Sequence, residues 1–529
     1  MKRTISIILS IMMMISMCVV SVAAEGDNTF SLTQDYAVTQ VIERSMIDQT
    51  NKSGIYADAG QTFTLFVSPS NTEPSAPQQI LVENDKIMIR NSVDNEGTLC
   101  WGEWRILNDP GQQNPNAGYV VCDGNNDELK IQKAIDSGVK VIYPIGTCVI
   151  TNENTSAGDR DLSDHQVVIN LKQDVTLDGM YCDELIFKNS APAEKQVIFQ
   201  LADGAKFKNV KMREEDCTVD TVNPMIFFGG ECEVSDCSFS NLYDPYGMHG
   251  MYFYKGKFMN NTIDGWSLHS FGNIAYSFYC KAGSTVENNV FQNITNDPES
   301  YYSVMVIYDS QFNNNKFSNC NFQRGTVSIR GNMSGNTFSD IEDVSFELQT
   351  NVSGNHFFDI NNVMFQLNGL TSGNTFEDID DAFFEMAGMV SQNKFMRLSS
   401  QNYYMFDVQP FAVITNNVFQ GCNSNGSYAF ELLSDSSFCN NQITTFRFFG
   451  YDKQYIFTLQ GDNVIISGNN IRKAKAPKPG ENDNIYVVEK NPYVDGTICA
   501  NNITDYKSMG EFTDTCKVVN NIVDEESTN

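Results

Sequence analysis

Between Arg330 and Phe419 apolar and polar positions alternate in short runs, and each run is followed by the same corner. Val344, Phe346 and Leu348 alternate with Ser345, Glu347 and Gln349. Val363, Phe365 and Leu367 alternate with Met364, Gln366 and Asn368, and Ala382, Phe384 and Met386 with Phe383, Glu385 and Ala387. A period of two with one apolar set predicts strands that bury one face, since a helix of this length would need apolar spacings of three and four. The corner reads Ser334-Gly335-Asn336-Thr337-Phe338 and returns as Ser353-Gly354-Asn355-His356-Phe357, Ser372-Gly373-Asn374-Thr375-Phe376 and Ser391-Gln392-Asn393-Lys394-Phe395. Asn416-Asn417-Val418-Phe419 closes the run. Its phenylalanines advance by 19 residues from Phe338 to Phe357, Phe376 and Phe395, then by 24 to Phe419. A fixed period near this length marks a solenoid.

Nineteen residues hold two or three short strands and tight turns but no crossover helix. Each strand must then stack on its equivalent one coil away, about 4.8 Å distant. Gly and Asn tolerate the left-handed backbone of a corner. Stacked Asn side chains can bond along the solenoid while each Phe fills the interior. The fold class is therefore all-β, a right-handed parallel β-helix, and the scarcity of Leu in the repeats argues against a leucine-rich horseshoe. Further corners are expected at Asn209, Cys237, Asn261, Asn289 and Asn315, and later at Asn441, Asn469, Asn501 and Asn520.

The remaining chain divides around this repeat. Residues 1–24 carry Lys2 and Arg3, an apolar run and Val22-Ala23-Ala24, the pattern of a secretory signal peptide, so the protein is expected to be secreted. Residues 25–107 lack the repeat and show β-type alternation, which predicts a small β-sandwich in which Trp101 and Trp104 are candidates for glycan contact. Residues 108–118 read as a linker, and 119–529 as the β-helix. At its start, Glu128–Asp136 predicts a short capping helix that buries Leu129, Ile131, Ala134 and Ile135, because an open solenoid end exposes core and strand edges.

The landmarks Asp123-Gly124, Ile131-Gln132, Ala134-Ile135-Asp136 and Tyr143-Pro144-Ile145-Gly146 carry a resemblance. They are similar to the opening of the β-helix in the pectate-lyase-like superfamily, which includes phage tailspikes and secreted pectin-active enzymes. Cys148 stands where that family has an aromatic residue, a difference read as packing. The resemblance implies the fold but no single reaction, since the superfamily hosts lyases, hydrolases, epimerases, esterases and inert binders. Met248-His249-Gly250 supplies half of one polygalacturonase element. Tyr243-Asp244-Pro245 is similar to the Asp-Pro-His segment of alginate epimerases, but Tyr246 stands where the His belongs.

Charge narrows the partners. Without the two positive charges of the leader, 33 Lys and Arg face 65 Asp and Glu, a net charge of −32. Such a surface repels nucleic acid and anionic lipid and suits calcium or a neutral glycan. No stretch beyond the leader is long and apolar enough to cross a membrane. Thirteen Cys remain after residue 24, scattered without zinc-site spacing. Cys232 and Cys237 are candidates to pair across a turn, and the others read as small apolar fillers.

Candidate chemistry follows from registering the strands on a Phe-x-apolar triplet. The middle residues Glu347, Gln366, Glu385, Asp407 and Glu431 then form one outward row, neighbours about 5 Å apart. Carboxyls that close raise at least one pKa, as a general acid beside a carboxylate requires. Glu385, Asp407 and Glu431 are the candidate catalytic residues. Glu347, Glu385 and Asp407 are candidate calcium ligands on the same row. Extended backward, the register puts Tyr254, Tyr279, Tyr308 and Ser328 in line. Lys255, Lys281 and Arg330 stand close by, and these residues together with His249 are candidates to hold an anionic sugar chain. The functional expectation is a carbohydrate-active protein that cleaves a polysaccharide as a hydrolase or a uronate lyase. A non-catalytic glycan-binding or cell-surface β-helix is the alternative.

Overall fold

The computed structural model describes residues 117–525 apart from 159–163, 191–194, 218–222, 244–249, 269–275, 297–302, 450–453, 473–484, 490–495, 500, 507–515 and 520, together with the backbone of seven strands between residues 40 and 106. The expected signal peptide lies outside the described residues, as do His249 and the side chains of Trp101 and Trp104. Two compact units meet at Ala117 and Gly118. In the first, Gly54–Ala57, Phe63–Val67, Gln78–Glu83 and Lys86–Asn95 form an antiparallel meander. Lys86–Asn95 pairs with Arg105–Ile106 at one part of its length and with Thr98–Trp101 at another.

The second unit is a right-handed parallel β-helix. The coils between Gln166 and Arg472 supply one strand to each of three parallel sheets. Sheet 1 runs from Gln166–Leu171 through Met225–Gly229 and Tyr404–Val408 to Ile485–Val488. Sheet 2 includes Thr176–Asp178, Lys257–Met259 and Val464–Ser467, and sheet 3 includes Cys182–Lys188, Thr262–Leu268 and Lys394–Ser400. In the 19-residue coils the three strands run together, as in Thr337–Ser353, His356–Ser372 and Thr375–Ser391.

The repeat explains the corners. Gly335, Gly354 and Gly373 adopt φ of 66°, 64° and 67°, a region Gly enters without the steric penalty a Cβ incurs. The Asn that follows turns inward between sheets 2 and 3. Asn355 shows the pattern: its backbone N–H and its Nδ2 both donate to Asn374 Oδ1 at 2.9 Å, and its Oδ1 accepts the N–H of Asn336 at 2.9 Å. The ladder passes unbroken from Asn261 to Asn521. It ends on Asn521 rather than Asn520. Cys237 joins it only through its backbone N–H, and Asn209 lies one residue before the ladder position. Phe338, Phe357, Phe376 and Phe395 stack in one interior column, with ring centroids 4.8, 5.0 and 4.9 Å apart and no exposure. Stacked aromatic faces and a satisfied amide ladder are thus the two contacts each coil owes its neighbours.

The N-terminal end is covered by α1, Asp127–Asp136. Ile131 and Ile135 are buried against the first coil and Ala134 packs at its margin, but Leu129 is exposed. The helical spacing gives Leu129's place to Glu128, whose carboxylate accepts from Asn154 Nδ2 at 2.6 Å and from the Thr151 N–H at 3.4 Å. Asp127 is also buried, and accepts the N–H groups of Asp123, Gly124 and Val149 at 3.0–3.1 Å. Two buried carboxylates therefore tie the cap to the coil that follows. Cys148 is disulfide-bonded to Cys122, so its role is covalent rather than mere packing. Cys232 and Cys237 are free and buried. Burial pushes both thiols up to about 12.

Candidate active site

Strand register decides which side chains share a row. On sheet 1, Glu347 pairs with Gln366, Gln366 with Glu385, Glu385 with Asp407 and Asp407 with Glu431. The structure therefore brings together the acidic row expected from the triplets. The row continues through Thr458 to Glu489, whose Oε2 accepts from Thr458 Oγ1 at 2.9 Å. Glu489 lies outside any Phe-x-apolar triplet, since Val488 precedes it and Lys490 follows it.

The upper half is registered differently. Tyr252 pairs with Tyr279, Tyr279 with Val306 and Val306 with Ser328, whereas Tyr254 pairs with Lys281 and Tyr308 with Arg330. Tyr254 and Tyr308 thus stand two residues off the expected row, beside Tyr279 rather than in line with it. A slip of two keeps every side chain on its own face, so alternation alone cannot detect it. Phe228, Tyr252, Tyr279 and Tyr276 stack nearly flat at 5.0–5.2 Å. Their faces are spent on one another, and mainly ring edges face outward. Lys281 lies 5.2 Å over the exposed Tyr254 ring. Lys255 is an exposed turn residue with φ of 60°. Arg330 is held at 3.5 Å by Glu347, which also accepts from Ser328 Oγ at 2.9 Å.

The two halves are far apart. Six strand steps, about 29 Å, separate Lys281 from Asp407, and four steps, about 19 Å, separate Arg330 from it. Arg330 meets the row only at Glu347, and neither cation reaches Asp407. Glu347 lies two coils from Glu385, with Gln366 between them donating to Glu385 at 3.4 Å. Among the described residues the one trio of His, Cys, Asp or Glu whose ligand atoms all lie within 4.8 Å is Cys122, Asp127 and Cys148, and both of its cysteines are in the disulfide. Glu347, Glu385 and Asp407 do not converge in this way, and a calcium cage needs six or more oxygens.

The regular period is lost at Asp407. Between sheet 3 and sheet 1 the chain inserts Gln401-Asn402-Tyr403 in one coil and Asn425-Gly426-Ser427 in the next. These insertions stack on one another. The Asn425 N–H donates to Ser400 O at 2.9 Å, the Tyr428 N–H to Tyr403 O at 3.3 Å, and the Asn425 side chain bonds that of Gln401. Gly426 is required here, because a Cβ would stand 2.0 Å from Tyr403 O. The insertions carry Tyr403, Tyr404 and Tyr428 into a wall beside the row, over the fully buried Met405 and Ala429.

The carboxyls beside the wall are partly desolvated. Asp407 Oδ2 accepts from Gln409 Nε2 at 2.7 Å, while its Oδ1 is buried with no hydrogen-bond partner among the described residues. Burial, then Glu431 and then Glu385, push the Asp407 carboxyl up to about 6. Burial also raises Glu431, partly opposed by a hydrogen bond from Tyr404. Tyr404 in turn is pushed up to about 12, first by burial and then by Glu431 and Asp407. The Tyr428 hydroxyl, raised chiefly by burial, is hydrogen-bonded with Tyr403 and Glu489. A carboxyl with a raised pKa beside two others, along one wall of aromatic hydroxyls, can exchange a proton in mildly acidic solution.

No protein-family model matches the chain, and no curated protein matches it. Solved structures do match in fold. A mutant tailspike protein of Escherichia coli bacteriophage HK620, in complex with a pentasaccharide, is 11% identical over 78% of this chain and 79% of its own, with a TM-score of 0.37. The catalytic domain of a GH87 α-1,3-glucanase in complex with nigerose is 10% identical over 86% and 90%, at 0.24. PfbA, a surface adhesin of Streptococcus pneumoniae, is 14% identical over 77% and 92%, at 0.22. The shared feature is the right-handed parallel β-helix. At these identities the resemblance to the pectate-lyase-like superfamily is one of fold.

Proposed function

We propose that this chain cleaves a polysaccharide by glycoside hydrolysis on the outer face of sheet 1. Asp407 is the general acid and Glu431 the carboxylate partner. The observation that carries the reading is the Asp407 carboxyl, raised to about 6, with one oxygen fixed by Gln409 and the other buried and unpartnered. An acid that still holds its proton in mildly acidic solution can give it to a glycosidic oxygen as the bond breaks. Glu431, held by Tyr404, bonds to the sugar carbon as the leaving oxygen departs with the Asp407 proton, and water then hydrolyses that ester while the ionised Asp407 takes up the water's proton. Partners on adjacent strands sit about 5 Å apart, the separation of a retaining pair. Glu385, on the other side of Asp407, keeps the acid protonated through its charge.

Hydrolysis is favoured over uronate elimination because Lys281 and Arg330 lie too far from Asp407 and Glu431 to act as a base beside them. The leader pattern at residues 1–24 fits an extracellular substrate. The test is a polysaccharide panel scored by reducing ends and by absorbance of unsaturated products. Reducing ends without unsaturation, lost in Asp407→Asn, support the reading. Unsaturated products would assign elimination instead, and binding without cleavage would assign a glycan-binding module.

A further inference from the structure

The aromatic side chains of sheet 1 differ in what they leave open. In the Phe228, Tyr252, Tyr279 and Tyr276 stack each ring lies nearly flat on a neighbour. The Tyr254 ring carries Lys281 over it. Tyr403 is 54% exposed, and its ring stands at 72° to Tyr428 and 73° to Tyr404, so no described ring lies flat upon it. It is also fixed in place. Its carbonyl accepts the Tyr428 N–H, its hydroxyl is bonded with that of Tyr428, and Gly426 lets the next insertion press against its backbone. A rigid, exposed aromatic ring loses little conformational freedom on binding and suits the apolar face of a pyranose.

The surroundings select the charge of that sugar. Tyr403 lies on the wall that flanks Asp407, Glu431 and Glu489, carboxyl groups that face the same side of sheet 1. Among the described residues, no lysine or arginine forms an ion pair or ring contact with Tyr403, Tyr404, Tyr428, Asp407 or Glu431. A uronate or sulfated ring placed here would bring a further negative charge to an acidic, partly desolvated surface. We infer that Tyr403 is a stacking subsite for an uncharged pyranose, and that the glycan bound beside Asp407 and Glu431 is neutral rather than anionic. This replaces the anionic substrate expected from the basic groups of the distant upper rows. Tyr403 precedes the strand Tyr404–Val408 and stands four residues before Asp407, at most about 13 Å of extended chain between the two Cα atoms, so an oligosaccharide can engage both.

This inference rests on reading the site as one for glycans, but it does not require cleavage. The experiment is affinity electrophoresis of the full chain carrying Asp407→Asn, which prevents turnover during the run. The probe gels contain starch, dextran, mixed-linkage β-glucan, xylan or galactomannan, against polygalacturonate and alginate. Retardation is expected in at least one neutral gel. There Tyr403→Ala should weaken binding about tenfold, while Tyr403→Phe and Tyr403→Trp keep it. The conservative pair guards against a wall that collapses when the ring is removed. Retardation confined to the anionic gels, retardation in no gel, or a Tyr403→Ala chain retarded like its parent would each overturn the inference. A wild-type protein that binds a neutral gel through Tyr403 but releases no reducing ends would sink the hydrolytic reading and leave the subsite standing.

Discussion

Asp407→Asn makes the pH dependence of stability a direct readout of the site. The folded protein holds the Asp407 carboxyl at about 6, against an ordinary value of 3.8, because burial and the charges of Glu431 and Glu385 disfavour ionisation. Between those two values the folded state binds more protons at this residue than the unfolded state does. Stability contributed by the protonated carboxyl is therefore fully present below about pH 4 and is lost as pH rises towards 6. One pKa unit corresponds to about 1.4 kcal/mol, so the ceiling is about 3 kcal/mol. Asp407 is only partly buried, and solvent screening reduces the expected loss to about 1–2 kcal/mol. Asn has a similar shape and cannot ionise, so the variant should escape the loss. Chemical denaturation of both proteins from pH 4 to pH 8 measures it. The stability of Asp407→Asn relative to wild type should rise by about 1–2 kcal/mol across that range and level off above pH 7. Parallel curves for the two proteins would refute the desolvated, charge-crowded carboxyl on which the catalytic assignment stands.

Glu431→Gln should lower the Asp407 pKa by removing a neighbouring charge, so any residual activity should lose its alkaline limb at a lower pH than wild type; an unmoved limb in the pH–rate profile would separate the two carboxyls. Chelation should leave glycan cleavage unchanged, as the carboxylates of Glu347, Glu385 and Asp407 do not converge; loss of activity in EDTA, restored by calcium, would show that a cation acts on the row. Asn374→Ala should cost about 2–5 kcal/mol by urea denaturation, because it removes the acceptor of two bonds from Asn355 and a donor to Val352 O, all buried. Ile131→Asp should cost several kcal/mol by placing an unpaired charge against the first coil, and an unchanged midpoint would mean that α1 does not seal that end.

What the sequence determined by itself is whatever repeats. Ser-Gly-Asn-x-Phe at a 19-residue step leaves one way to satisfy the corner, the amide and the ring together, and the structure places all three where the pattern requires. Glu385, Asp407 and Glu431 were legible as a row because each sits between a phenylalanine and an aliphatic residue whose interior places are unambiguous. The register of Tyr254, Tyr279 and Tyr308 was not legible, since Met251 and Phe253, Phe278 and Cys280, and Met305 and Ile307 offer the interior alternative places two residues apart. Pairing across coils, a nonlocal matter, chose between them. The Cys122–Cys148 bond likewise depends on the cap folding back over the first coil. The chemistry of Asp407 was decided at the same level. Its carboxyl is unusual because it is partly buried between Glu385 and Glu431, where two stacked three-residue insertions, irregular in sequence, bring tyrosines beside the row. Periodicity carries the scaffold, and the departures from it, whose packing no local pattern encodes, make the site.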